Sequence, residues 1–163
     1  MLNIRSVNNK TDDVRDIIDT HHLDVIVLTK SWHEDADCVP IKRLRKLGLN
    51  VVEVARVILV GTKKENVRYV NHGSIAVASR LGVVITRVVV ALKICTFEHL
   101  CVRIILNGAY ILATIYRSGL EPPSDAFLKE LSVYLEFLST FNEFVILTED
   151  INIRLDCDDY RQR

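Results

Sequence analysis

Proline and glycine are scarce in this chain, three and six residues among 163. That scarcity excludes collagen-like, linker-like and low-complexity architecture. Charge of one sign is missing too. Lys+Arg and Asp+Glu are both 21, so the formal net charge is zero. No whole-molecule field draws the chain to nucleic acid or to anionic lipid, and any such binding needs a local patch. The four cysteines, Cys38, Cys95, Cys101 and Cys157, include no Cys-x-x-Cys pair and no Cys/His set with zinc spacing. They fit a reducing compartment, and Cys95 and Cys101 sit in apolar runs that read as core. No basic-then-apolar leader opens the chain. Its apolar runs are strand-length and broken by charges such as Arg56, Arg87 and Arg103. No membrane span is expected, and an intracellular location, cytoplasmic or nuclear, is. A Gly-x-Ser-x-Gly elbow is absent as well, so motif and order give no Ser/His/Asp triad.

Apolar residues make up 49% of the chain, which suffices for one domain with a buried core. Leu2 to Arg5 reads as a strand. Thr11 to His22 reads as a helix capped by Thr11 or Asn9, with Val14, Ile17, Ile18 and His21 on one face. His21-His22 reads as a helix-end dipole partner rather than a metal pair, because adjacent side chains diverge. Asp24 to Thr29 is a near-continuous β run of the kind buried on both faces. Ser31 to Asp37, with His33, Glu34 and Asp35, reads as a solvated polar loop. Trp32, at the strand's end, is a packed anchor or a DNA-facing aromatic. A short basic helix, Ile41 to Lys46, stops at Gly48, and its Lys42, Arg43, Arg45 and Lys46 read as a solvated face.

A β pattern follows. Strands are expected over Val51–Val60, Ser74–Ser79, Val83–Leu92, His99–Leu106 and Tyr110–Tyr116, with a polar hairpin loop over Gly61–His72. Asn107-Gly108 between two apolar runs is the strongest hairpin signal. His99 reads as a satisfied structural histidine. Ser124 caps a helix over Asp125–Thr140, with Phe127, Leu128, Leu131, Leu135 and Leu138 as its stripe. Phe144 to Thr148 is the last strand, and Cys157 to Arg163 is a polar tail.

Asp150-Ile151-Asn152 closes that last strand. Side chains alternate with period two, so Asp150 and Asn152 point the same way at a strand's end. Asn3 also stands in an apolar strand. These segments, with Val27-Leu28-Thr29-Lys30-Ser31-Trp32, His72-Gly73-Ser74-Ile75-Ala76, Ile115-Tyr116-Arg117-Ser118 and Glu149-Asp150-Ile151-Asn152, occur in one order. In that order they resemble the endonuclease/exonuclease/phosphatase superfamily. The resemblance is greatest to the apurinic-type endonuclease domain of non-LTR retrotransposons, and it covers residues 1–156.

The resemblance implies an α/β fold, a four-layer α/β/β/α sandwich of two mixed, mostly antiparallel sheets, here incomplete at the C-terminus. It implies Mg²⁺-dependent hydrolysis of DNA phosphodiester bonds within a larger reverse-transcriptase polyprotein. It assigns site roles to Asn3, Tyr116, Asp150 and Asn152: Asn3 positions the metal-site carboxylates, Tyr116 contacts the scissile phosphate, and Asp150 and Asn152 orient water and bind phosphate. Such hydrolysis needs a hard cation held by carboxylates, an oriented water and donors for the transition state.

Lys30 departs from that pattern, because it stands where the family places its metal-ligating Glu. An ammonium cannot ligate Mg²⁺, and two unit charges ~4 Å apart repel by ~4 kcal/mol at an effective dielectric of 20. The family's closing Ser-Asp-His motif has no counterpart here. Glu149 replaces a Gly, with its side chain expected opposite to Asp150. The expectation is therefore an endonuclease-type domain, catalytically impaired or dead, with no intact metal site. A non-catalytic nucleic-acid or phosphate-binding module and a translated relic without selected function stay open beside it.

Overall fold

The apolar run after Asp24 becomes the spine of the first sheet. A computed structural model describes residues 1–33, 36–55, 73–119 and 122–153. In it β2 (Val25–Thr29) pairs parallel with β1 (Leu2–Asn3) on one side and antiparallel with β4 (Ile75–Arg80) on the other. The fourth strand, β3 (Leu49–Val54), pairs antiparallel with β4. The second sheet runs β5 (Val84–Arg87), β6 (Glu98–Leu106), β7 (Gly108–Tyr116) and β8 (Phe144–Asp150) in that spatial order. Its pairings are antiparallel except β7 with β8, which is parallel. The helices are α1 (Thr11–Thr20), α2 (Val39–Lys46) and α3 (Asp125–Ser139).

Strand alternation sorts the core into three layers. Val27, Ile75 and Val77 point from the first sheet against Leu100, Val102, Ile104 and Leu112 of the second. Their neighbours Ile26, Leu28, Ala76 and Ala78 face the other way, onto Val14 and Ile18 of α1 and Ile41 and Leu44 of α2. Cys101, Ile111, Ala113 and Ile115 face out of the second sheet onto Phe127, Tyr134 and Leu138 of α3. The result is the expected four-layer α/β/β/α sandwich of two mixed, mostly antiparallel sheets.

Several local expectations shift. The first strand ends at Asn3, because Arg5 and Ser6 take positive φ of 49° and 97° and turn the chain away. Lys10, not Thr11 or Asn9, occupies the cap position of α1 without a side-chain bond, and Thr11 is buried. His21 is exposed rather than packed. Ser124 does cap α3, accepting from the Phe127 amide at 3.2 Å. The packed stripe of that helix includes Tyr134, while Leu128 and Leu135 are exposed. Only Val84–Arg87 of the expected long strand pairs with β6. Val88, Val90, Leu92 and Ile94 instead pack on the α3 layer, where the Glu130 carboxylate accepts from the Cys95 and Thr96 amides. Cys95 is exposed, whereas Cys101 is buried and burial pushes its thiol up to about 11 against the pull of Arg103. The hairpin forms where Asn107-Gly108 predicts it, with Leu106 paired to Gly108. β8 is the edge strand of the second sheet, and Phe144 is 81% exposed. The Gly61–His72 loop, the outer part of the Val51–Val60 reading, Glu34, Asp35 and the Cys157–Arg163 tail lie outside the described residues. No helix among the described residues is long and apolar enough to cross a membrane.

His99 is not the satisfied histidine that its setting suggests. Its Nδ1 is buried with no hydrogen-bond partner, beside the Tyr134 ring at 5.3 Å. Burial, with the Arg87 charge adding to it, lowers its pKa from the ordinary 6.5. As pH falls through 6.5, the imidazole charges in the unfolded chain while the folded one resists, so stability drops. His99→Phe is expected to remove up to one proton's worth of that slope in urea unfolding followed between neutral and mildly acid pH. An unchanged slope would contradict the assignment.

Candidate active site

Two parallel pairings put four strand ends at one edge of the sandwich. In the first sheet Asn3 is level with Thr29, and in the second Tyr116 is level with Asp150. The ends meet across the layers at one carboxylate. Asn3 Nδ2 donates to Asp150 Oδ2 at 3.0 Å and Thr29 Oγ1 donates to the same oxygen at 3.2 Å. Asn152 Nδ2 donates to Asp150 Oδ1 at 2.9 Å. Asn3, Asp150 and Asn152 are therefore brought together as their positions predict. Thr29 was not read as part of the site. Its signal is parity, since it faces the same way as Val27, into the space between the sheets.

The turn after β2 carries Lys30. Lys30 and Trp32 both have φ of 54°, a left-handed conformation that non-glycine residues adopt at a cost of ~1–3 kcal/mol each. A buried network holds it there. Ser31 Oγ lies 2.8 Å from His33 Nδ1 and 3.0 Å from Ser74 Oγ, and His33 Nε2 lies 2.6 Å from Glu53 Oε2. The Ser31 and Trp32 amides donate to the carbonyls of Ser74 and Gly73. Glu98 Oε2 accepts from the Ser74 amide at 2.6 Å, and a Cβ at Gly73 would fall 2.1 Å from its other oxygen, so any larger residue there would displace this carboxylate. Ser31, His33 and Ser74 are all buried. A Ser–His–Glu chain without access to a substrate is a clamp, not a nucleophile relay. His33, read from sequence as solvated, is its centre.

The clamp delivers the Lys30 ammonium to 5.6 Å from the Tyr116 ring centroid, in cation–π range. Tyr116 is 3% exposed, so its ring supports Lys30 from below and offers little surface to a ligand. No ion pair joins Lys30 to Asp150 among the described residues.

Arg117 secures the other half, a role that sequence reading missed. Its amide donates to the Asp150 carbonyl at 3.0 Å, its Nη1 donates to the Ile151 carbonyl at 3.0 Å, and its carbonyl accepts from Asn152 Nδ2 at 2.8 Å. The guanidinium is buried over the Phe127 ring at 5.2 Å. Asn152 itself has φ of 50°, and a Cβ at Gly119 would fall 2.8 Å from the Asn152 Cβ.

This donor set does not fit Mg²⁺, which takes near-octahedral oxygen ligands. Asp150 is committed to three neutral donors and an ammonium stands nearby. Glu149 is exposed and points away, accepting from the Ile151 amide. No group of three or more His, Cys, Asp or Glu side chains among the described residues could hold a metal ion. Three of the four basic residues of α2 are engaged locally: Arg43 pairs with Asp12, Lys42 with Asp37, and Arg45 donates to the Ala36 carbonyl.

No protein-family model and no curated protein matches the chain. Solved structures do match. The human Nocturnin catalytic domain aligns over 98% of this chain and 65% of its own, at TM-score 0.60 and 12% identity. The Neisseria 3′ phosphatase NExo, bound to a product DNA hairpin, aligns over 93% and 56%, at TM-score 0.55 and 16% identity. The endonuclease domain of TRAS1, a telomere-specific non-LTR retrotransposon, aligns over 92% and 56%, at TM-score 0.55 and 10% identity. The chain thus spans under two thirds of these structures.

Arg117→Ala should cost about 2–4 kcal/mol in urea unfolding, the sum of a buried charged hydrogen bond and a cation–π contact. A loss under ~0.5 kcal/mol, the size of an ordinary surface substitution, would contradict its place in the site.

Proposed function

Starting from the endonuclease/exonuclease/phosphatase fold that the chain adopts, we propose that it is a retroelement-type endonuclease domain that grips a DNA phosphodiester without cutting it. It descends from a Mg²⁺-dependent phosphodiesterase and works as part of a larger reverse-transcriptase polyprotein. The observation that carries this reading is Lys30. Its side chain stands at the strand end where the resemblance sets a metal-ligating Glu, and its ammonium rests on Tyr116 at the same edge as Asp150.

The site's own groups account for binding. Lys30 supplies one positive charge and up to three N–H donors to a phosphoryl oxygen. The Asn3 amide has a second N–H beyond the one given to Asp150. Asp150 accepts from Asn3, Thr29 and Asn152 and so acts as the tie between the strand ends. Cleavage lacks its requirements. No cluster of carboxylates gathers a cation among the described residues, and the Asp150 oxygens that would orient a water are engaged by Asn3, Thr29 and Asn152. The DNA-bound phosphatase and the retrotransposon endonuclease domain among the similar structures support a nucleic-acid ligand.

Supercoiled plasmid incubated with Mg²⁺ or Mn²⁺ should be nicked no faster than by an Asp150→Ala variant. Nicking that depends on Asp150 would overturn the reading. DNA binding should weaken with salt and fall about tenfold or more in Lys30→Glu at low salt, as the loss of a phosphate contact requires. Affinity indifferent to both would equally contradict it.

A further inference from the structure

A cleft of about 330 Å³ opens beside the Lys30 turn, between the loop after β1 and the start of α2. It is lined by Asn8, Trp32, His33, Cys38, Val39 and Pro40. Its size lies near the lower bound of small-ligand pockets, ~300–1,000 Å³. The lining carries no formal charge beyond what His33 can acquire, and both His33 ring nitrogens are already engaged by Ser31 and Glu53. A cation or a phosphate would therefore find no counter-charge there. The cleft instead joins an indole, an exposed aliphatic (Val39, 78% exposed) and a proline to one exposed amide, Asn8, which has both donors and an acceptor. That combination suits a flat, neutral, mostly apolar ligand with a polar edge.

Lys30 and Trp32 are two residues apart in one turn, so their Cα atoms lie within ~7 Å. We propose that this cleft is a nucleobase subsite: it takes one unstacked base of the strand whose phosphate Lys30 holds, with Trp32 and Val39 against the base and Asn8 at its hydrogen-bonding edge. The proposal rests on the phosphodiester-binding reading and deepens it. It makes the ligand single-stranded or locally frayed DNA, because a base in an intact duplex is stacked and cannot enter.

Trp32 is the chain's one tryptophan, so its fluorescence reports this cleft alone. The test titrates the chain with a short single-stranded oligothymidylate and with an abasic sugar-phosphate strand of equal length and charge. Both should bind in a salt-dependent way that Lys30→Glu weakens. Only the base-bearing strand should quench Trp32, and it should bind about tenfold tighter. Trp32→Ala should erase that preference, so that the two strands bind it with equal affinity. Val39→Ser, at an exposed position that the fold does not need, should reduce it. Equal affinity and equal fluorescence for the two strands would overturn the subsite and spare the phosphate site. No binding of either strand would overturn the phosphate-binding reading and this subsite with it.

Discussion

Asp150 ties the two sheets together at a single carboxylate, accepting from Asn3 and Thr29 of the first sheet and from Asn152 just beyond its own strand. The carboxylate is half-buried at the edge of the sandwich, where three neutral donors take up most of its acceptor capacity. The rest of the site depends on that bond set. It requires β1 beside β2 and β7 beside β8, both parallel, so that four strand ends reach one edge. Parallel neighbours need crossover connections, and α1 and α3 are those crossovers. The helices that cover the sandwich are thus the same elements that bring the site residues level.

Two clamps hold the strained residues around this tie. On one side the Ser31–His33–Glu53 chain, braced by Ser74, keeps Lys30 and Trp32 left-handed. On the other, Arg117 donates to the Asp150 and Ile151 carbonyls and its own carbonyl accepts from the Asn152 side chain. Strain of this kind persists only where surroundings over-determine it, and it concentrates at functional sites. Lys30 is the one site residue whose charge opposes the metal chemistry that the resemblance implies, and its ammonium rests on the Tyr116 ring. An ammonium fixed at a strand end beside donors is a means of holding an anion. It is not a means of activating water.

Much of this was legible in the residue order. Period-two alternation set Asp150 and Asn152 on one side of a strand end, and the structure joins them although Asn152 lies one residue past β8 with φ of 50°; Asn3 entered the site only through the resemblance. The strand runs of Val, Ile and Leu and the Ser124 cap marked the elements, and the resemblance implied their stacking in four layers. What stayed hidden depends on contacts between distant segments. Thr29 looks like any strand residue until Asp150 arrives 121 positions later. His33 sits among polar residues and reads as solvated, although Glu53 and Ser74 bury it. Arg117 reads as one charge in a motif until Phe127 and the Ile151 carbonyl enclose it. Helical spacing gave Leu128 and Leu135 the same standing as Leu131, but the second sheet leaves them exposed.

The central claim is that Lys30 has taken the place of a cation. Calorimetric titration of Mn²⁺ into the original chain and into Lys30→Glu tests it most directly. The account predicts no saturable heat from the original chain and saturable binding in Lys30→Glu that a second change, Asp150→Asn, removes. Saturable, Asp150-dependent Mn²⁺ binding by the original chain would contradict it.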